Sequence, residues 1–531
     1  MHRRALRNRL IVIAALIGAA ANAQAAQSRR EVTKQFDRTV RLNPGQTLVV
    51  DHSQGNIDVR AEPGHEARIH ASIHVSAGSD EAAEQFAAKI AIEVSERATG
   101  AEVRTTYPRA TGHSNVSFAV DYTIVVPDSA VLDVRNRFGS VTVAGMKTKG
   151  SIVTAHGRLS VRDFGGGRLE NAFGPIEAVD LAGDVEVTNA NGPVSLANLK
   201  GGAAVTDRFG DVTVRGVRGT LSIVTSNGAV EVGDALTNVS VRNSFGPIKL
   251  HEIGRDVTAI DSNGTIDARA LHGSAELNTT FGAVNAADVG GRLTITASNS
   301  RVSVATAAGA VHVKTTFAPV ELRDIGTDAV VEATNSTVTL ERIRGTATSS
   351  TSFGKTTARN VGGVLRVAAQ NGDVAIADAG GAVYVKTTFG SVQAERVGGQ
   401  LTVDNSTGGI RGSAIKGAVD AKTTFGPVWI SDAGGRIDVR NNSGAVDVAL
   451  APGRTCAEVS LTTSFAPIRV AVPERIGFTV TARTSFGRVT SDLPITMSGV
   501  VNATTLSGSI GGGGCPMTLT NSNGDIVLAR R

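Results

Sequence analysis

The chain of 531 residues contains 61 glycines, whereas only 4% of its residues are aromatic and 19% are charged. This composition is too apolar for an intrinsically disordered chain and too rich in glycine for a helical protein. The formal net charge of +5 is a mild excess for this length, and no cluster of Lys and Arg with interleaved aromatic residues indicates a nucleic-acid-binding surface.

The N-terminus has the pattern of a secretory signal peptide. A basic segment, MHRRALRNR, precedes a short apolar run, LIVIAALIGAAA, and small residues at Ala21, Ala23 and Ala25 offer cleavage sites. We therefore predict that residues 1–25 are a signal peptide and that the mature chain is exported to the periplasm, the cell surface or the medium. No later stretch approaches the ~20 apolar residues that span a bilayer, so we predict no transmembrane segment after signal cleavage.

Residues 26–137 lack a regular repeat and predict a β-rich capping region. The segments at 47–64 and 67–77 have the alternating pattern of strands. Residues 80–96 predict one helix, because apolar residues recur at i, i+3 and i+4 after Ser79, a suitable N-cap. A repeat domain needs such a cap, since an open strand edge would aggregate.

Residues 138–460 form a regular repeat. Phe followed by Gly or Ala recurs every 36 residues, and Asn or a small polar residue marks each midpoint; both halves carry the same apolar positions, so the unit is 18 residues. The Phe markers are Phe173, Phe209, Phe245, Phe281, Phe317, Phe353, Phe389 and Phe425. The midpoint markers are Asn191, Asn227, Asn263, Asn299, Asn335, Asn371, Thr407 and Ser443.

Each unit predicts two short strands. Counted from Phe or Asn as position 1, the consensus is [Phe/Asn]-Gly-x-Val-x-Val-x-x-Val-x-Gly-x-Leu-x-Val-x-Thr-Ser. Alternation at positions 4 and 6, and again at 13 and 15, is typical of strands with one buried face. An 18-residue unit cannot bury its own apolar side, so the sequence predicts an all-β fold in which successive units stack as a long parallel β-solenoid, roughly 85 Å in length. A coil that closes only every 36 residues is the alternative.

Equivalent positions of successive units form columns along such a solenoid. In column 1 we expect Phe to fill volume at a corner and stacked Asn to pair their amides along the axis. For column 18 we expect a buried ladder of hydroxyls that stabilises the turn. Column 18 contains Ser226, Ser244, Ser262, Thr280, Ser298, Thr316, Thr334, Ser352, Thr388, Ser406 and Thr424.

Residues 461–531 predict irregular C-terminal coils and a cap. The chain contains two cysteines, Cys456 and Cys515. In an oxidising compartment such a pair indicates a disulfide, and two buried free thiols are the alternative.

Several phrases resemble the bacterial "putative adhesin" repeat families of unknown function, sometimes grouped as toastrack domains. They are TSNGAVEV at 225–232, FGPIKLHEIGRDVTAIDSNGTIDA at 245–268 and NSNGDIVL at 521–528, and the resemblance covers about residues 31–531. It implies a right-handed, single-stranded β-helix at the cell envelope. The families bring no established catalytic residues, so the resemblance assigns none here.

The strongest candidate for chemistry is an acidic column at position 8. A calcium site needs six to eight converging oxygens, whereas Arg342 and Arg396 interrupt this column and Asn198 and Asn360 share it. We therefore interpret its members as solvated turn residues. They are Asp180, Asp234, Glu252, Asp288, Asp324, Asp378 and Asp432.

Other chemistry-bearing residues are dispersed. Trp429 and Tyr384 fall at outward positions, where aromatic rings can stack on sugars or pack locally. The histidines of the repeat lie in different columns, without metal-ligand spacing. They are His156, His251, His272 and His312.

The sequence therefore predicts no catalytic residue, no metal ligand and no cofactor. It favours a non-enzymatic, exported β-solenoid that serves as a cell-envelope scaffold or an adhesin-like interaction surface, with envelope glycans or envelope proteins as partners. The alternative is a polysaccharide-active β-helix enzyme, a lyase or a hydrolase, which would need two or more carboxylates within catalytic distance in one groove.

Overall fold

The structure is a computed structural model that describes residues 30–108, 116–453, 455–498 and 502–531. The predicted signal peptide, residues 1–25, lies outside the described residues. Within these ranges the chain is nearly all β-structure, with 51 strands and one helix.

Each 18-residue unit contributes one strand to each of two parallel sheets. Ile248 pairs with Ile266, and Ile266 pairs with Val284, so the register advances by one unit per coil. All three side chains are buried. The predicted β-solenoid is thereby confirmed, with about 19 coils, and a coil that closes only every 36 residues was the wrong alternative.

Seven strands and the helix precede the regular coils. They are β1 (Arg30–Arg41), β2 (Thr47–Asp51), β3 (Ile57–Glu62), β4 (Glu66–Ala77), α1 (Asp80–Ala87), β5 (Ala91–Arg97), β6 (Gly100–Thr106) and β7 (Ser117–Pro127).

In the regular coils the even-numbered strands form one sheet and the odd-numbered strands form the other. The strands are β8 (Val131–Phe138), β9 (Val141–Ala144), β10 (Gly150–His156), β11 (Leu159–Phe164), β12 (Gly167–Phe173), β13 (Ile176–Leu181), β14 (Val185–Asn191), β15 (Val194–Leu199), β16 (Ala203–Thr206), β17 (Val212–Val217), β18 (Leu221–Val224), β19 (Val230–Ala235), β20 (Val239–Phe245), β21 (Ile248–Ile253), β22 (Val257–Asn263), β23 (Ile266–Leu271), β24 (Ala275–Phe281), β25 (Val284–Val289), β26 (Leu293–Ser298), β27 (Val302–Val304), β28 (Val311–Thr316), β29 (Val320–Ile325), β30 (Ala329–Thr334), β31 (Val338–Ile343), β32 (Ala347–Phe353), β33 (Thr356–Val361), β34 (Leu365–Asn371), β35 (Val374–Ala379), β36 (Val383–Phe389), β37 (Val392–Val397), β38 (Leu401–Asn405), β39 (Ile410–Ile415), β40 (Val419–Thr423), β41 (Val428–Ala433), β42 (Ile437–Asn441), β43 (Val446–Ala449), β44 (Val459–Thr462) and β45 (Ile468–Val472).

The C-terminal strands follow. They are β46 (Phe478–Arg483), β47 (Val489–Ser491), β48 (Ile495–Met497), β49 (Thr505–Ile510), β50 (Cys515–Thr520) and β51 (Ile526–Arg530).

The interior of the solenoid is an apolar core. Columns 4, 6, 9, 13 and 15 point inward, as in the coil that contains Ile248, Leu250, Ile253, Val257 and Ala259, all of which are buried. Equivalent residues repeat this contact coil after coil, because each strand bonds in register to the strands above and below it.

The first coil in the chain is the second coil in space. Strands β2 and β3 pair in parallel with β8 and β9 on one side. On the other side they pair in parallel with β6 and β7, which come later in the chain and form the outermost coil. Strand β4 adds antiparallel to β7, β1 adds antiparallel to β4, and β5 adds antiparallel to β6.

The helix is shorter than predicted. It spans Asp80–Ala87 rather than 80–96, and Ser79 caps it by accepting a hydrogen bond from the backbone N–H of Ala82 at 3.2 Å. From Ala91 the chain forms strand β5 instead. The physical reason is the alternation at Ile92 and Val94, which pack against the core while their neighbours face outward.

The C-terminal end mirrors this arrangement. The last strands, β50 and β51, insert between β44 and β45 on one side and β46 and β47 on the other. A disulfide joins Cys456, in the loop before β44, to Cys515 at the start of β50, with the Cα atoms 5.2 Å apart. Whether residues 26–137, 138–460 and 461–531 act as separate domains stays a prediction.

Candidate functional site

A row of exposed phenylalanines runs along one edge of the solenoid. Column 1 lies at the turn between the two strands, and its Phe side chains are between 46% (Phe138) and 63% (Phe425) exposed in the regular coils. The expectation that Phe fills volume inside this corner was therefore wrong. We call columns 18, 1 and 2, from Phe138 to Phe425, the Phe edge.

The inner side of this turn is occupied by column 17. Asn189 Nδ2 donates to the carbonyl oxygens of Gly174 (3.3 Å) and Gly192 (2.7 Å), which lie in column 2 of adjacent coils. Asn243 and Asn405 repeat this pattern. Buried turn stabilisation, which we expected of column 18, therefore belongs to column 17, and the hydroxyls of column 18 are exposed or half-buried.

Close stacking explains why glycine dominates column 2. Gly246 has a φ of 116°, and a Cβ atom there would lie 2.3 Å from the carbonyl oxygen of Gly228 in the preceding coil. Where column 2 holds Ser300 or Ala318 instead, the positive φ moves to the preceding residue, with values of 52° at Asn299 and 57° at Phe317. In these coils the left-handed residue thus shifts by one position, whereas Gly210 and Gly264 turn without a φ in the left-handed region.

The asparagines of column 1 do not pair with one another, because each one has Phe as its neighbour in the column. Asn191, Asn263 and Asn371 instead donate from Nδ2 to the backbone carbonyl oxygen of the residue 19 positions earlier, at 3.4 to 3.5 Å. The amide group is thus held against the backbone of the preceding coil. The expected amide ladder is wrong, and the phenylalanine side chains on either side of an Asn are about half exposed.

One position shows what fits between two such rings. His156 occupies the column between Phe138 and Phe173. Its ring centroid lies 4.8 Å from each phenylalanine centroid, and the ring planes are within 2° and 6° of parallel. The space between Phe residues two coils apart therefore accommodates one further flat ring.

The Phe edge is also neutral over most of its length. From Ser226 to Gly444, columns 18, 1 and 2 contain only Ser, Thr, Asn, Gln, Phe, Gly and Ala. Such an edge offers aromatic, amide and hydroxyl groups and no charged side chain of its own, which suits an uncharged partner.

The other turn of each coil carries the acidic column. Column 8 adopts a left-handed conformation in coil after coil, with φ of 60° at Asp180, 55° at Asp234 and 55° at Arg342. Asp and Asn tolerate this conformation better than most residues. The backbone therefore accounts for the composition of the column, as the interpretation as turn residues predicted.

Several acidic residues of column 8 bind an arginine of a neighbouring coil. Arg342 donates from Nε and Nη2 to Asp324 at 2.6 and 2.9 Å, and Arg396 binds Asp378 at 2.5 and 2.9 Å. These hydrogen bonds lower the pKa of Asp324 and of Asp378. Within the described ranges, no group of three His, Cys, Asp or Glu residues lies close enough to hold a metal ion.

A groove with a volume of about 890 Å³ lies on this side, near the N-terminal end. Asp163 and Asp180 occupy column 8 of adjacent coils there, so their backbones lie about 5 Å apart. Asn198 Nδ2 donates to Asp180 at 3.0 Å, and Lys200 and Arg218 line the same groove. Two neighbouring carboxylates in a groove are what the enzyme alternative requires, although Asp163 is exposed and Asp180 is half-exposed.

The isolated outward aromatics are not free. Arg411 lies over the Trp429 ring at 4.8 Å, and Arg366 lies over the Tyr384 ring at 5.4 Å, each from the preceding coil. One face of each ring is therefore already in contact with an arginine.

The sequence contained signals for the Phe edge, since the uncharged columns 18 and 2 and the 36-residue Phe period are both visible there.

Comparisons with known proteins find one weak structural similarity. No family model matches the chain, and no curated protein matches it. One solved structure, described as a "putative cell adhesion protein" from Clostridium sporogenes ATCC 15579, matches 45% of this chain and all of its own chain at 11% identity and a TM-score of 0.20. Its description agrees with the adhesin resemblance, but similarity this low carries no argument, and the fold rests on the strand register. No helix in the described part of the chain has the length and apolar character that crossing a membrane requires.

Proposed function

We propose that this chain is an exported, non-enzymatic β-solenoid that acts as a rigid adhesin-like interaction surface at the cell envelope. The observation that carries the proposal is the Phe edge. Soluble proteins seldom expose a long, regular row of half-exposed aromatic rings unless the row contacts a partner. The row is built on a stack of hydrogen-bonded coils, so the contact surface is held rigid before any partner arrives.

Repetition supports the same proposal. Phe residues recur every second coil, about 10 Å apart, and each offers the same weak contact. Many weak contacts on one rigid body give strong overall binding to a repetitive or multivalent partner. Envelope glycans and envelope proteins are partners of this kind, and the neutral edge favours uncharged ones.

The test is a binding experiment with the mature chain, residues 26–531. Immobilised glycans and isolated envelope fractions are probed with the wild-type protein and with a triple variant, Phe281→Ser, Phe317→Ser and Phe353→Ser. We expect the variant to lose at least about tenfold in apparent affinity through lost avidity. The matched control is Leu236→Ser, which removes an exposed apolar side chain at the other turn and should bind like the wild type. Equal binding by the triple variant would contradict the proposal.

One observation favours a second function. Asp163 and Asp180 lie opposite each other on adjacent coils within one groove, where side-chain rotation can bring their carboxyl groups to the roughly 5 Å that a retaining glycosidase needs. A turnover assay on envelope and plant polysaccharides decides this question. Turnover that is abolished by Asp163→Asn and by Asp180→Asn would establish the enzyme, whereas no turnover leaves the interaction surface as the function.

A further inference from the structure

We infer that the partner of the Phe edge is the Phe edge of a second copy of this chain, with the phenylalanines of the two copies interdigitated. The inference rests on the proposed function, because it names the partner of that same surface.

The first argument is the shape of the edge. Phe rings stand two coils apart, about 10 Å, and at Asn191, Asn263 and Asn371 the intervening amide is held against the backbone. His156 shows that a flat ring in this gap stacks at 4.8 Å on both of its neighbours. A phenylalanine from outside can occupy the gap above an Asn in the same way, with one ring face against each neighbour.

The second argument is the period. An interdigitated contact along a rod requires a partner whose rings recur at the same two-coil interval, because any other interval falls out of register after a few contacts. A second copy of this chain has that interval throughout. A two-fold axis that passes between a Phe coil and an Asn coil, perpendicular to the rod, places every Phe of one copy opposite an Asn of the other and closes the dimer.

The third argument is charge and area. Self-pairing brings each column onto itself, so a charged column would repel its copy, and the Phe edge lacks charge from Ser226 to Gly444. Each Phe leaves about half of its surface exposed. At roughly 100 Å² for each half-exposed ring, the six phenylalanines of the uncharged stretch supply roughly 600 Å², and the flanking hydroxyl and amide groups add to this toward the roughly 800 Å² per partner that stable interfaces bury.

The experiment is sedimentation equilibrium of the mature chain over a wide concentration range. We expect a dimer for the wild type, and a dimer dissociation constant at least about tenfold weaker for the triple variant Phe281→Ser, Phe317→Ser and Phe353→Ser. Leu236→Ser should dimerise like the wild type. All variants change exposed side chains, and unchanged circular dichroism verifies their folding.

A variant that fills the gaps between the Phe rings distinguishes interdigitation from nonspecific apolar association. In Asn227→Phe, Asn263→Phe and Asn371→Phe, a ring from the same chain occupies the gap, as His156 does. Interdigitation predicts weaker dimerisation although the edge is now more apolar, whereas unspecific association predicts stronger dimerisation and would overturn the inference.

The outcomes also separate this inference from the proposed function. A wild-type protein that stays monomeric, yet binds glycans or envelope fractions through its phenylalanines, overturns the self-pairing and leaves the interaction surface intact. A protein that stays monomeric and shows no Phe-dependent binding overturns both.

Discussion

The two ends of the solenoid use one topology and stabilise it differently. At the N-terminal end the first coil, β2 and β3, lies one coil inside the end, and at the C-terminal end the last coil, β50 and β51, does the same. We call β2 with β3, and β50 with β51, the tucked coils, and each of them is hydrogen-bonded to a coil on both sides. The segments that would fray most easily in a repeat protein are therefore clamped, and the exposed edges belong to strands in the middle of a chain segment.

The covers over the two ends differ. At the N-terminal end, the antiparallel strands and the helix bring Phe86, Tyr107 and Phe118 together, with ring centroids 5.0 and 5.1 Å apart. At the C-terminal end the cover consists of β48 and β49, and the Cys456–Cys515 disulfide ties the tucked strand β50 to the loop before β44. Packing closes one end, whereas a covalent bond reinforces the other.

The residue in polar column 17 also differs between the first and the last coil of the chain. In the first coil it holds His52, whose Nδ1 lies 3.1 Å from Thr105 Oγ1 and whose Nε2 lacks a hydrogen-bond partner among the described residues. In the last coil it holds Asn521, whose Nδ2 donates to the carbonyl oxygen of Ala466 at 2.8 Å. Burial lowers the pKa of His52 to about 4. Of the two column-17 residues at the ends, His52 can titrate, whereas Asn521 has no titratable group.

We expect the largest loss of stability when a charged residue is introduced into the core of either tucked coil. Val59 and Leu528 occupy column 6 of the two coils and are fully buried. Replacing either with Asp puts a carboxyl group into the apolar core and should cost on the order of 4 kcal/mol or more. Because a solenoid couples mainly nearest neighbours, we expect each variant to unfold its own end only.

Hydrogen exchange measured by mass spectrometry follows the two ends separately. Val527→Asp is the control, since it places Asp at the outward position that Asp58 already occupies in the first coil. Loss of protection along the whole rod in either core variant would show that the ends are not independent.

Removing the disulfide should have the next largest effect. The bond closes a loop with a sequence separation of 59 residues, and loops of this size are stabilised by ~2–4 kcal/mol. We expect Cys456→Ser with Cys515→Ser, or reduction of the wild type, to raise hydrogen exchange in β44 to β51 and to leave β1 to β9 unchanged. Unchanged exchange in the C-terminal strands would mean that packing alone closes this end too.

The sequence predicted the regular coils well and the ends poorly, for a physical reason. Strand register between neighbours in the chain follows from an 18-residue period, but the first coil meets its partner β8 only after an insertion of strands and a helix. One signal was available, since Gln54-Gly55 followed by Ile57 and Val59 fits columns 1, 2, 4 and 6. Pairing between such distant segments depends on tertiary packing, which periodicity does not report.

The Phe edge was missed for a different reason. Alternation within a strand gives columns 15, 17 and 1 the same parity, which predicts an inward Phe in column 1. The chain turns at column 2, so column 17 is the last inward position, as buried Asn243 shows beside exposed Phe245. Parity holds within a strand and ends where the turn begins.

The N-terminal end should be sensitive to acid through His52. Its pKa is about 4 when folded and about 6.5 when unfolded, so the unfolded state binds more protons between these values. The stability of this end is therefore complete above pH 6.5 and falls, by roughly 3 kcal/mol, as the pH drops to 4. Hydrogen exchange of β2 and β6 at pH 4.5 and 7 measures the loss.

His52→Asn is the control, because it replaces the titratable histidine with the residue type that the C-terminal end has at Asn521. The variant should have nearly equal protection at the two pH values. An acid-induced loss that persists in His52→Asn would assign the effect to other groups.

The smallest expected effect on stability is in the central coils, where the pH dependence is opposite to that of the N-terminal end. Asp207 and Asp261 occupy column 17, where Asn would donate to the glycine carbonyls, and burial raises the pKa of each to about 6. Neither oxygen of Asp207 has a partner in the part of the chain that the structure describes. These groups bind a proton more readily in the folded state, so their stabilising contribution is complete below about pH 3.8 and is lost as the pH rises through 6.

Asp207→Asn and Asp261→Asn should therefore each stabilise the central coils at pH 7, by about 1 kcal/mol, and remove the decline between pH 4 and 6. Asp404→Asn, at an exposed position, should change neither quantity. Hydrogen exchange of β16 to β23 would then rise with pH in the wild type after correction for the intrinsic rate, while exchange in β2 and β6 falls. If exchange in the central coils changed with pH in the same direction as in the N-terminal end, the prediction would be wrong. Folding would then not raise the proton affinity of Asp207 and Asp261.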